Sequence, residues 1–180
     1  MEISIPDYPT LCVRTLAQRE SIDNHAHLAL GMCGEALSEV IPELVFGTNK
    51  KKQIEELGDF FWYVACFCFI NLIEFKPSKS EPEHNLLILI GKLTERVKKE
   101  YAYKKDTGSY DRIIQDIIYR AFQLCDEYGL DIKEILSKNI EKLKARYPEK
   151  FEEEKAISKN EAKEKEVFET KNETETKKEL

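Results

Sequence analysis

The chain has 180 residues, a formal net charge of −6 and a pI near 5.3. That length supports one domain with a real core, and the acidic balance excludes a general phosphate-backbone binder, which needs a basic face. Hydrophobic residues make up 42% and charged residues 34% of the chain, a balance that suits a soluble helical protein with a polar surface.

Residues 1–18 contain Pro6 and Pro9 and show no clear period, so they read as an extended lead with a short helix near Leu11 to Leu16. No basic start is followed by an apolar core, so no secretory signal is expected. The five cysteines (12, 33, 66, 68 and 125) are odd in number and irregularly spaced. They read as reduced thiols of a cytoplasmic protein. A first long helix is predicted from about Ser21 past Glu39, with Leu28, Met32, Leu37 and Val40 among its apolar positions. Pro42 lacks an N–H and its ring crowds the carbonyl four residues back, so a kink or stop is expected there. Gly47-Thr48-Asn49 is a turn, and Thr48 or Asn49 can cap the next helix.

That second helix is predicted from about Lys51 to Phe75. Its apolar run, Phe60 to Ile73, is shorter than the roughly 20 residues a bilayer requires, so a core helix and no membrane contact are expected. Residues 76–80 are a linker, and Ser80 with Glu83 fits a capping box for a third helix over about 82–103. Its stripe is Leu86, Leu89, Ile90, Leu93 and Val97. A fourth helix, 110–128, ends at Gly129 as a left-handed cap. Asp131 opens a fifth helix, which Pro148 stops. Residues 152–180 hold ten Glu and seven Lys and few apolar side chains. Such a tail reads as disordered, or else as a single solvated helix. No run alternates as a strand does. The expected fold is all-α: a bundle of about five helices over 1–151, with a charged tail over 152–180.

Four acids stand among residues that want to be buried. Glu35 and Glu39 are four apart on the first helix, and Glu56 and Asp59 are three apart on the second. Each pair therefore shares a helix face. Two such helices side by side would gather four carboxylates, an oxygen-rich set suited to Mg²⁺ or Mn²⁺. A salt-bridge network or a solvated acidic face fits the same spacing. Gly31, Gly34 and Gly58 lie beside these acids. Each glycine costs a helix roughly 0.5–1 kcal/mol relative to alanine, so close packing or ligand access is implied. Asn139, Lys142 and Arg146, three and four apart, line one face of the last helix.

The stretch H-L-A-L-G-M-C-G-E-A followed by E-E-L-G-D-F-F-W-Y-V resembles the MazG-like nucleotide pyrophosphohydrolases, whose signature is E-x-x-E on one helix and E-x-x-D on the next. Tyr8, Leu11, Arg14 and Thr15 are similar to that family's opening Y-x-x-L-x-x-R-T, and Asn139 to Phe151 to its last helix. The resemblance covers about 8–75 and 120–160, and residues 76–118 then read as an insertion that adds a helix.

The resemblance implies Mg²⁺-dependent hydrolysis of nucleoside triphosphates (NTP or dNTP) to a monophosphate and pyrophosphate, by a homodimer or homotetramer of helical chains. Glu35, Glu39, Glu56 and Asp59 would be metal ligands. Glu35, Glu39 or Glu55 would be the general base. Asn139, Lys142 and Arg146 would meet the substrate, with Trp62 or Tyr63 stacking on the base. The chain departs from the pattern at Ser38, which occupies the place of the second acid. Glu39 is one place on, and a local shift of the helix would bring it round. Alternatives are a pyrophosphohydrolase for another nucleotide, such as phosphoribosyl-ATP, and a catalytically weakened bundle that binds nucleotide or protein.

Overall fold

Helices make up the regular structure of the computed structural model, which describes residues 3–17, 21–148, 151–152 and 166–168. A 3₁₀ turn at Ile5–Asp7 leads into α1, Tyr8–Val13. The long path that follows is α2 (Ser21–Gly34), a π-helical turn (Glu35–Val40) and α3 (Ile41–Phe46). Next come α4 (Lys50–Ile70), α5 (Leu86–Tyr103), α6 (Asp111–Glu127) and α7 (Ile132–Arg146). The all-α expectation holds among the described residues.

Caps explain several of the boundaries. Asn49 accepts hydrogen bonds from the Lys51 and Lys52 amides and starts α4. Asp131 accepts from the Lys133 amide and starts α7. Gly129 takes a positive φ of 62° after α6, as a left-handed cap requires. Three expectations are corrected. The short first helix begins at Tyr8, not near Leu11. The cap of α5 is Asn85, which accepts from the Ile88 amide at 3.0 Å, rather than Ser80. And α4 ends at Ile70, where the Asn71 side chain donates to the Phe67 carbonyl and Leu72 turns left-handed at φ 55°.

Pro42 does not stop the first long helix. Gly34 and Ile41, at the joints of the π turn, both keep right-handed helical angles. The Ile41 amide reaches back five residues to the Ala36 carbonyl. Pro42 has no N–H to donate to the helical ladder, and its ring crowds the Ser38 carbonyl. A wider turn immediately before it relieves that crowding, so the helical path continues unbroken into Ile41–Phe46.

α4 is the central helix, packed against α1, α2 and α7, while α5 lies along α2 and α6. Leu28, Met32, Phe60, Phe61, Phe67, Leu93, Ile114 and Ile117 are fully buried between them. Residues 86–118 belong to this core. His25 of α2 stacks on Phe67 with ring centres 5.3 Å apart and meets the edge of Tyr110. Glu100 of α5 accepts from the Tyr110 hydroxyl and lies 3.4 Å from His25 Nδ1. Arg120 ties the linker down by donating to the carbonyls of His84 and Pro82 and to Glu81. No helix among the described residues is long and apolar enough to cross a membrane. Most of the expected tail over 152–180 lies outside the described residues; at Val167 the backbone carbonyl accepts from Lys138 Nζ.

Candidate functional site

Asp59 stands at the centre of one face of α4. Glu55 and Trp62 flank it on one side and Glu56 and Tyr63 on the other, as helical spacing dictates. The first side meets α7 and α1. Lys142 Nζ lies 2.7 Å from Asp59 Oδ2 and 2.8 Å from Glu55 Oε1. Asn139 Nδ2 donates to Asp59 Oδ1 at 3.1 Å, and its own Oδ1 accepts from the Tyr8 hydroxyl at 2.8 Å. Asn139 is 2% exposed and Lys142 4%. Both are therefore buried partners of Asp59 in the chain without ligand.

The second side meets the π turn. Glu35, Glu39 and Glu56 form no ion pair or hydrogen bond through their side chains with any described residue, but they feel one another. Burial, then the charges of Asp59, Glu56 and Glu39, pushes the Glu35 carboxyl up to about 7. Burial, then Asp59, Glu55 and Glu39, pushes the Glu56 carboxyl up to about 7. Burial also raises Asp59, against the opposing pull of Lys142. At Lys142 the balance is reversed: burial disfavours the ammonium, and Asp59 and Glu55 outweigh that to hold its pKa above the usual lysine value. Carboxylates crowded in a poorly solvated place repel each other strongly. The face is thus divided into a half ion-paired with Lys142 and a half without an ion pair, on which the charges of Lys142 and Lys52 act only from a distance.

The π turn favours Glu39 over Ser38 as the neighbour of this face. A turn closed by i→i+5 bonds takes one more residue than an α turn. The residue one turn beyond Glu35 is accordingly moved along the chain, towards 39 and away from 38. The charge of Glu39 acts on both Glu35 and Glu56. Ser38 is exposed.

The remaining residues are anchored by neighbours. Trp62 Nε1 donates to Thr15 Oγ1 at 2.9 Å, so the indole is tied to the segment after α1. Arg146 is half-buried at the end of α7 and its charge acts on Asp59. Two of the three glycines are explained by close packing. A Cβ on Gly58 would meet Asn139 Cβ at 3.0 Å, and one on Gly31 would overlap the Tyr63 ring. Gly34 faces open space. Tyr8 was legible only as part of the opening motif; its role, orienting Asn139, has no signal in spacing because it comes from the far end of the chain. Gly58 carried the other signal, a glycine in mid-helix where α7 must come close.

Among the described residues no three His, Cys, Asp or Glu side chains stand close enough together to enclose an ion as they are. Asp59 is turned towards Lys142 and Asn139. The donor chemistry nonetheless fits a hard divalent cation: oxygen ligands only, with Glu35 and Glu56 half-buried, Glu39 exposed and none of the three in an ion pair. Comparison of the chain with protein-family models, with curated proteins and with solved structures finds no match.

Proposed function

We propose that this chain is a Mg²⁺-dependent nucleoside triphosphate pyrophosphohydrolase of the MazG-like kind, cleaving between the α and β phosphates. One observation carries the reading. The motifs that resemble the family, at Tyr8–Thr15, Glu35, Glu56–Asp59 and Asn139–Arg146, are far apart in sequence and converge on one acidic face. Glu35, Glu39, Glu56 and Asp59 would hold the cation. Bound there, it would neutralise phosphate charge and polarise a water for attack on the α-phosphorus. Glu55 is held by Lys142, which leaves Glu35 or Glu39 to accept the water's proton. Arg146, at the rim, would take phosphate oxygens in a forked contact.

Pyrophosphate release from a panel of NTPs and dNTPs, with Mg²⁺ and with EDTA, tests this directly. Glu56→Gln is a suitable knock-out, because Glu56 forms no ion pair whose loss would unsettle the fold. Mg²⁺-dependent release that is lost in Glu56→Gln is the expected result, and the panel names the base and sugar. A folded wild-type chain that releases nothing from any of them would sink the proposal. A second reading, nucleotide binding without turnover, is favoured by the burial of Lys142 and Asn139 against Asp59. It predicts nucleotide binding in calorimetry with no release.

A further inference from the structure

Lys142 is an unusual cation to find in a metal-binding face. It is 4% exposed and shares its ammonium between Asp59 and Glu55 at 2.7 and 2.8 Å. Its position is braced from both sides. Asn139, one turn earlier on α7, fixes the other oxygen of Asp59. Tyr8 fixes Asn139 in turn, and Gly58 lets α7 approach this closely. A buried ammonium held by two carboxylates is costly to displace, because removing either partner strands a charge. The unpaired acids, Glu35, Glu39 and Glu56, all lie on the opposite side of Asp59.

We propose that Lys142 is a resident cation that takes the place of a second metal, so that the face binds a single divalent ion, on its Glu35–Glu56 side. The proposal rests on the acidic face being a metal site. A second divalent ion between Asp59 and Glu55 would sit against the ammonium at a separation where like charges repel strongly. Lys142 thereby sets both the number of ions and their place. It acts through the carboxylates and is a positioning residue. It also neutralises one half of the face before any metal arrives, which lets the metal-free chain fold around Asp59.

The test is a count of bound Mn²⁺ on the full chain without nucleotide, by calorimetry and by electron paramagnetic resonance. Wild type is expected to bind one ion. Glu56→Gln should weaken it by about tenfold or more, the usual scale for a perturbed metal shell, while Glu55→Gln keeps it. Lys142→Met should gain a second ion. Two ions on wild type would overturn the proposal and keep the metal reading; none would overturn both. A count of one on both wild type and a folded Lys142→Met would also overturn it. If Lys142→Met does not fold, acylation of wild-type lysines decides. Lys142 should be as protected with saturating Mn²⁺ as with EDTA, and labelling that rises with Mn²⁺ would show the ammonium displaced and the proposal wrong.

Discussion

Tyr8, Asn139 and Asp59 form one chain of hydrogen bonds across three helices. Tyr8→Phe removes a donor and is expected to cost about 1 kcal/mol. Asn139→Ala leaves the Tyr8 hydroxyl and an Asp59 oxygen without their close partner, at about 2–3 kcal/mol. Because the two share one bond, the double variant should cost less than the sum, measured by urea unfolding. The acids predict a pH dependence. Glu35 and Glu56 move from the usual 4.5 to about 7 in the folded chain. Between those values the folded state binds more protons than the unfolded state, so stability falls as pH rises through that window. Above it the loss is complete. Melting temperature in EDTA should therefore drop between about pH 5 and pH 7.5, and Mn²⁺ added at the high end should restore it. A flat profile would mean these carboxyls are not strained. The acids could be read from the sequence because helical spacing alone fixes a face. The burial of Lys142 could not, since a lysine on a polar stripe reads as solvated until the opposing helix is known.

At the scale of the element, local chemistry predicted some boundaries well. Asn49, Asp131 and Gly129 act within a few residues of themselves, and each does what its type favours. The end of α4 could not be read this way. Apolar character continues through Ile73 and Phe75, and both are buried, but in non-helical chain. Periodicity reports burial, and tertiary packing decides whether the buried chain is still a helix. The π turn is the same lesson in a functional place. The sequence offered Pro42 as a break and Ser38 as a missing acid, two separate anomalies. One wide turn answers both, by relieving Pro42 and advancing Glu39. This register makes a sharp prediction. Exchanging the two residues, Ser38→Glu with Glu39→Ser, keeps composition and charge. In an unbroken α-helix position 38 would serve as well as 39. With the π turn, the exchange should weaken Mn²⁺ by about tenfold, as Glu39→Gln alone should. Unchanged affinity would show that the fourth acid is irrelevant or that the turn is not π-helical in solution.

At the scale of the whole molecule, one surface is left apolar. Leu30, Leu37 and Val45 are all more than half exposed, and Phe46 is 84% exposed. Leu30 and Leu37 are seven residues apart, two turns of an α-helix. Leu37 and Val45 are eight apart, and the extra residue is the one the π turn takes up. The three therefore lie on one face of the α2–α3 path, with exposed Gly34 between them. No charged side chain interrupts that row, so a second copy related by a two-fold axis can cover it without stranding a charge. The expected assembly through this face is a homodimer, whereas the resemblance to MazG-like enzymes implies a homodimer or a homotetramer without naming a face. Leu37→Glu puts a charge at the centre of the row, where its neighbours are apolar on both copies. It should convert a dimer to a monomer in light scattering while leaving the helical circular dichroism unchanged, because the side chain is exposed in the single chain. Glu35 lies on the same helical path, between Gly34 and Leu37, so dissociation should also lower Mn²⁺ affinity if the partner stiffens the π turn. A wild-type chain that stays monomeric at high concentration would exclude this assembly, and a Leu37→Glu dimer would move the interface to another surface.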